Sequence, residues 1–346
     1  MAVDKRDRKE WAREHFHGFE NVTMPSFTPD LSQLDEEGIR RDVQLAIRHG
    51  FFSTLCSVEV GLTHDEKKRF LEIATDEAGD TISVALSLSG NTLDENLALL
   101  AHAERVGCTH ALLSYPHTFR PTSEDEIYEY ASTLIDATNL GVYLFVSDKF
   151  GFQNVNASGV PFGVFDRLVD RPNVIAMKLG GMDSGVMFEA FERYGSKVLV
   201  ATLNPGLFPL TVKHFGQQWS GAWTVEAIQT PEQPLAVEFF DLLVQGKEDE
   251  AMSVYWRLAP ALGAMAGLMA PLVPTGAYHW PLLKYQQWVG GGNGGMTRQP
   301  CMRVYQRDID MVKGGFRAAG LQITTDSDDD FFLGRTFAGA KAGTPA

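Results

Sequence analysis

Cysteine is scarce in this chain: Cys56, Cys108 and Cys301 are the only three in 346 residues, far apart and with no CxxC pair. An odd, scattered set offers neither a disulfide framework nor a thiolate zinc site, and the expectation is a reducing, cytoplasmic setting. Positive charge is also in deficit, with 30 Lys+Arg against 44 Asp+Glu and a net charge of −14. That balance argues against a nucleic-acid footprint and against binding to an anionic membrane surface. Long apolar runs are missing too. The most apolar stretch, Ala259 to Val273, is broken by Gly263, Gly267 and Pro271, so no segment approaches the ~18 residues a spanning helix needs. The charged N-terminal stretch lacks the apolar run of a signal peptide. Nor does a glycine-rich phosphate turn follow the first candidate strand. Pro25-Ser-Phe-Thr-Pro29 stands there instead, which counts against an open dinucleotide-binding sheet.

What is present is a regular alternation. Candidate strands are Val22 to Phe27, Phe52 to Val58, Ile82 to Leu88, Ala111 to Tyr115, Val142 to Ser147, Val174 to Lys178, Val198 to Thr202 and Gly221 to Val225. Amphipathic stretches separate them, and their starts carry capping chemistry. Thr63-His-Asp-Glu66 and Ser123-Glu-Asp-Glu126 have the hydroxyl and carboxylate of a capping box. Thr230-Pro231 puts a capping hydroxyl before a proline at a first helical position. Eight strand–helix units in about 230 residues predict a (β/α)8 TIM barrel.

After Pro231 the strand signal stops and a C-terminal helical extension is expected. The expected organisation is a helical lead-in over 1–18, a barrel over 19–231, the extension over 232–321 and an acidic, disordered tail over 322–346. Gly290-Gly-Gly-Asn-Gly-Gly295 reads as a flexible connection in preference to a ligand loop, because no strand precedes it. Asp326-Ser-Asp-Asp-Asp330 places four negative charges in the tail.

In such a barrel the active site lies at the C-terminal ends of the strands. Val174-Ile-Ala-Met-Lys178 is an apolar strand whose last residue is its single cation. A lysine at an apolar barrel mouth loses solvation, which favours the neutral amine that Schiff-base chemistry requires. A strand-end lysine that snorkels to solvent accounts for the same position, and position alone leaves both open.

The chain resembles the dihydrodipicolinate synthase/N-acetylneuraminate lyase family of class I, pyruvate-handling aldolases, from about Gly18 to Leu321. Asn173-Val-Ile-Ala-Met-Lys-Leu-Gly180 is similar to the family's Schiff-base lysine strand, and Thr23-Met-Pro-Ser-Phe27 to its first-strand Thr-Pro-Phe. Pro116-His-Thr-Phe-Arg-Pro121 resembles the Pro-Tyr-Tyr-Asn-x-Pro element after the fourth strand. Gly221-Ala-Trp-Thr-Val-Glu-Ala-Ile-Gln-Thr-Pro231 follows the eighth-strand pattern. Leu283-Lys and Gly294-Gly-Met-Thr-Arg298-Gln-Pro300 follow the C-terminal one.

The resemblance implies a lysine imine on Lys178, no metal and no cofactor, since the protonated imine is itself the electron sink. It also implies a 2-oxo acid and an aldehyde as small-molecule partners, and a homo-oligomer, commonly a tetramer. Two departures stand out. Leu55-Cys-Ser-Val-Glu59 replaces the family's Gly-Thr-Thr-Gly-Glu, leaving Cys56 and Ser57 as candidates to hold the carboxylate. In Val142-Tyr-Leu-Phe-Val-Ser-Asp148, Phe145 aligns with the family's relay tyrosine, and a phenyl ring moves no proton. Tyr143 has the same strand parity but lies ~6–7 Å deeper. It is either a relay, if the alignment slips by two, or a core tyrosine. His117 is a candidate acid or base, or a solvated loop histidine. Thr118, Trp223 and Thr224 complete the candidate substrate-binding set, and Lys149 is a candidate replacement for the family's carboxylate-binding arginine, or a surface lysine.

The reading is a Schiff-base lyase that makes or cleaves a C–C bond to a pyruvate unit. Phe145, Phe150, Phe152 and Trp223 near strand ends suggest an apolar or aromatic aldehyde partner. A hydratase-aldolase or dehydratase working through the same imine is the alternative. From another class, a catalytically silent relative that binds a keto acid also accounts for the two departures.

Overall fold

The computed structural model describes residues 3–116, 118–181, 183–221, 225–269, 271–272, 279–298 and 304–342. Helix α1 (Arg8–His15) precedes the strands β1 (Gly18–Thr23), β2 (Ser53–Cys56), β3 (Ser83–Leu88), β4 (His110–Leu113), β5 (Gly141–Ser147), β6 (Val174–Gly180), β7 (Leu199–Thr202) and β8 (Trp219–Ser220). Seven helices connect them in turn: α2 (Glu36–Arg48), α3 (His64–Ala78), α4 (Leu93–Val106), α5 (Glu124–Asp136), α6 (Phe162–Leu168), α7 (Ser184–Tyr194) and α8 (Phe208–Phe215). The strands run parallel in the order β7-β6-β5-β4-β3-β2-β1-β8, the (β/α)8 TIM barrel expected from the alternation. Six more helices follow among the described residues: α9 (Leu235–Val244), α10 (Glu248–Met269), α11 (Trp280–Val289), α12 (Gln306–Ala318), α13 (Asp328–Leu333) and α14 (Arg335–Ala342). No described helix is long and apolar enough to cross a membrane.

The chain forms two compact units, Met1–Phe19 with Ser83–Gly221, and Glu20–Ile82 with Ala222–Ala346. In the first unit, helix α1 is tied down by long basic side chains. Arg8 donates to the carbonyls of Asn139 (2.6 Å) and Thr109 (3.2 Å), and Lys9 to that of Val169 (2.6 Å). Phe16, His110, Tyr143 and Trp219 pack as one aromatic layer, with ring centroids 4.7–6.5 Å apart. Strands β7 and β8 meet through a side chain. The Gln217 amide accepts from Thr202 N (3.3 Å) and donates to the carbonyls of Thr202 (3.2 Å) and Trp219 (2.9 Å). The Ser220 hydroxyl adds a bond to the same Thr202 carbonyl at 3.0 Å.

In the second unit, Thr63 and Glu66 form the full reciprocal capping box at the start of α3. Arg298 grips both oxygens of Glu66 at 2.7 and 2.9 Å and lies 4.3 Å over the Phe27 ring. That contact holds the Glu66 carboxyl below its ordinary range.

Several expectations are corrected. Strand β1 ends at Thr23 instead of spanning Val22 to Phe27, because Pro25 has no N–H for a ladder. Strand β8 is Trp219–Ser220, ahead of the expected Gly221 to Val225; residues 222–224 lie outside the described set, and Val225–Ala227 is a 3₁₀ turn. At Ser123 only half the capping box forms. Its hydroxyl accepts from Glu126 N, but the Glu126 carboxylate reaches Thr122 instead. Thr230 caps no helix: its backbone pairs both ways with Gln233, and α9 begins only after Pro234.

The glycine run is no flexible link. Gly292 to Gly295 are buried, and Asn293 donates from its backbone to Asp42 (2.6 Å) and from its side chain to Ser26 (3.2 Å) and Asp35 (3.1 Å). The acidic tail is folded as well. Ser327 caps α13, Phe331 is buried against Tyr285 and Trp288, and Asp328 pairs with Lys313 at 2.5 Å. Composition missed this because Phe331 and Phe332 sit beside the acidic run and supply an apolar anchor.

Candidate active site

The first unit holds the lysine. Strands β5 and β6 pair in register, Phe145 opposite Lys178 and Tyr143 opposite Ala176, with Lys178 in turn opposite Ala201 of β7. Parallel partners present their side chains on the same face, so Phe145, Lys178 and Ala201 form one layer. Lys178 is 3% exposed, and its Nζ lies 4.9 Å from the Phe145 ring centroid. Burial withholds water from the nitrogen, while the phenyl face offers an ammonium a weak electrostatic attraction.

Lys149, on the turn after β5, approaches the same ring. Its Nζ lies 4.9 Å from the Phe145 centroid and 5.2 Å from that of Phe150. The two lysine nitrogens therefore share one aromatic plate.

Tyr143 occupies the layer below. It is fully buried among Phe16, His110 and Trp219, two residues nearer the N-terminal end of β5. The register thus puts a phenyl ring, not the phenol, beside Lys178. Of the other aromatic residues, Phe150 and Phe152 are buried against Tyr115, at 5.1 and 5.0 Å, and Phe145 alone of the three is partly exposed. Thr118 lies exposed in the turn after β4. His117, Trp223 and Thr224 lie outside the described residues.

In the second unit, Cys56 ends β2 as a buried thiol. Ser57 follows it, 2% exposed. Its backbone N–H donates to Thr23 O at 3.0 Å, while its hydroxyl has no hydrogen-bond partner among the described residues. A buried, unsatisfied hydroxyl costs free energy and is a ready donor for an incoming oxyanion. The neighbouring hydroxyls of Thr23 and Thr54 bond to each other at 2.6 Å.

One buried acid in this unit escaped the sequence reading. Glu226 is 1% exposed, and its Oε1 accepts from the Asn21 and Gln287 amides, the latter at 3.1 Å. Its Oε2, with Asn21 Oδ1 and Gln287 Oε1, finds no donor among the described residues. Desolvation pushes the Glu226 carboxyl up to about 7. The signal was a lone acid in the apolar run Val225-Glu-Ala-Ile228. Among the described residues no group of three or more His, Cys, Asp or Glu side chains is placed to hold a metal ion.

Comparison with known proteins places this geometry. Residues 19–202 match the sequence profile of the dihydrodipicolinate synthetase family. N-acetylneuraminate lyase of Fusobacterium nucleatum subsp. nucleatum is 23% identical over 254 residues, covering 73% of this chain and 80% of that protein. The 4-hydroxy-tetrahydrodipicolinate synthase of Methanopyrus kandleri is 24% identical over 239 residues, covering 68% and 76%. Among solved structures, dihydrodipicolinate synthase from Oceanobacillus iheyensis superposes with a TM-score of 0.75 at 16% identity, covering 91% of this chain and 99% of that one. N-acetylneuraminate lyase from Fusobacterium nucleatum, complexed with pyruvate, gives a TM-score of 0.70 at 19% identity over 88% and 97%.

Proposed function

The chain belongs to the dihydrodipicolinate synthetase family, and from that premise we propose that it is a lyase acting through an imine on Lys178. It makes or cleaves a C–C bond to the pyruvate unit of a 2-oxo acid. The observation that carries this reading is the buried Lys178 amine, over the Phe145 ring at the C-terminal end of β6. Relatives of the chain named as lyase and synthase support it.

In the proposed sequence the neutral Lys178 amine adds to the C2 carbonyl, giving a carbinolamine. Loss of its hydroxyl as water leaves an iminium. A base takes the C4 hydroxyl proton as the C3–C4 bond breaks, sending that electron pair into the iminium as an enamine and releasing the aldehyde; the reverse step adds the enamine to an aldehyde and returns the proton to its oxygen. Protonation at C3 and hydrolysis return pyruvate and the free amine. Hydration or dehydration of a 2-oxo acid through the same imine is the neighbouring reaction.

Proton transfer is where this chain differs. Phe145 carries no exchangeable proton, so Tyr143 and His117 are the proposed participants and Thr118 a proposed substrate contact, each assigned from the sequence. Ser57, with its unsatisfied buried hydroxyl, and Cys56 are the proposed carboxylate binders. Trp223 and Thr224 are proposed substrate contacts. Lys149 is a proposed second cation for an acidic substrate, supported by its approach to the ring that Lys178 also touches. The aldehyde partner is proposed to be apolar or aromatic on the strength of Phe145, whose ring stays partly exposed.

The test is direct. Incubation with pyruvate and borohydride is expected to add one reduced pyruvate to the intact mass, and Lys178→Ala to abolish it. No adduct, or one that survives Lys178→Ala, rejects the mechanism. A panel of aromatic and polyhydroxy aldehydes then separates the readings. Preference for the sugars overturns the aromatic assignment. An adduct without turnover on any aldehyde supports the silent keto-acid binder, which the phenyl at position 145 favours.

A further inference from the structure

The second unit contains a chain of contacts that begins at the C-terminus and ends at the loop following β1. Phe331 of α13 is 1% exposed, its ring 5.0 Å from Tyr285 and 5.9 Å from Trp288 of α11. Its carbonyl accepts from Gly295 N at 2.6 Å, and Asp328 accepts from the Tyr285 hydroxyl at 2.8 Å. Arg335 of α14 stacks 4.9 Å over Trp288 and donates to the Trp288 carbonyl at 3.0 Å and to that of Gly292. Thr336 donates from its backbone to Asn293 Oδ1 at 3.2 Å and from its hydroxyl to Asp35.

Asn293 continues the path. It donates to Ser26 and Asp35, while Lys284 of α11 donates to the Pro25 carbonyl (2.7 Å) and the Ser26 hydroxyl (2.8 Å). The seat is cut to fit. A Cβ on Gly38 would stand 2.3 Å from the Asn293 amide, and one on Gly294 would stand 2.6 Å from Trp288 and 3.0 Å from Phe331. Pro25 and Ser26 lie two and three residues beyond the C-terminal end of β1, the end at which barrel enzymes bind their substrates.

We propose that residues 327–342 are a strap that holds the loop spanning residues 25–35 in its binding-competent form, and that undocking of the strap lowers ligand affinity at that loop. The functional half of this inference rests on the proposed lyase reading; the structural half does not. An apolar anchor (Phe331), a cation on an aromatic face (Arg335) and a hydroxyl on the loop's own Asp35 (Thr336) make the docking a sequence-specific one. A strap held at its anchor by one buried ring has a local opening free energy below that of the whole unit.

The experiment uses the full chain. Hydrogen exchange is followed by mass spectrometry in Phe331→Ala, with Phe331→Leu as the conservative variant. The expected result is exchange faster by about tenfold or more in both residues 327–342 and residues 25–35, unchanged exchange in β6, and recovery in Phe331→Leu. In a turnover assay KM rises while kcat is retained. Faster exchange in the strap with none in residues 25–35 overturns the proposal, as does exchange that rises uniformly over the protein. Should Phe331→Ala fail to fold, Thr336→Ala gives the same readout by removing only the contact to Asp35; no change in residues 25–35 there overturns the proposal. Because exchange is read without substrate, a failed borohydride trap bears on the lyase reading alone.

Discussion

Replacing Glu226 by glutamine isolates one buried charge and gives a pH signature whose sign is fixed in advance. The Glu226 carboxyl is raised from 4.5 to about 7, chiefly by desolvation, against two amide donors that favour its ionised form. Between those two values the folded state holds a proton that the unfolded chain has lost. Stability from this group is therefore full below pH 4.5 and lost as pH rises through 7. About 2.5 pKa units at 1.36 kcal/mol each make roughly 3 kcal/mol.

Glutamine keeps the shape and the acceptor, and its NH₂ stands where the acid proton would be, so the variant stays in the neutral state at every pH. His49 complicates either curve taken by itself. Burial holds it down to about 3, so its contribution is present above pH 6.5 and lost as pH falls towards 3, the opposite slope. It is common to both proteins and cancels in their difference. Urea melts of wild type and Glu226→Gln from pH 4.5 to 8 should show the variant gaining about 3 kcal/mol relative to wild type across that range. A difference that stays constant with pH would refute the reasoning, because it would mean that Glu226 is ionised throughout.

Other outcomes follow from the packing. Gly294→Ala adds a Cβ 2.6 Å from Trp288 at a backbone φ of +75°, and thermal melts should register a loss of about 3 kcal/mol. Thr63→Ala removes the capping hydroxyl of α3 and should cost about 1 kcal/mol in the same assay. Phe145→Tyr places a phenol opposite Lys178, and borohydride trapping with pyruvate should speed up by roughly tenfold or more. Tyr143→Phe, one layer lower, removes the proposed relay hydroxyl and should slow that trapping by a similar factor.

The legible parts were those in which local pattern and tertiary role agree. Val174 to Lys178 is a continuous apolar run, ends in one cation and pairs where parity predicts, so strand, face and lysine could all be read together. Strand β1 was displaced because Glu20 and Asn21 look wrong for a buried strand. Ser53 donates to Glu20 at 2.9 Å and Asn21 binds Glu226, partners that are remote in sequence. The tail was misjudged for the same reason. Its charges read as solvated until Lys313 and Arg335 are seen to pair with Asp328 and Asp326. Between Tyr143 and Phe145 parity could not choose, since both face the same way; only the pairing across to Lys178 separates them.

The Gln217 amide that joins β7 to β8 has a consequence for how the first unit yields. A ladder of peptide groups gives way bond by bond, each break leaving its neighbours to hold. Here a single torsion of one glutamine frees the Thr202 N–H and one of the two side-chain bonds to the Thr202 carbonyl, leaving the Ser220 hydroxyl to hold the other. The stave of the barrel next to Lys178's own strand is therefore zipped to β6 on one side and clasped to β8 by two side chains on the other.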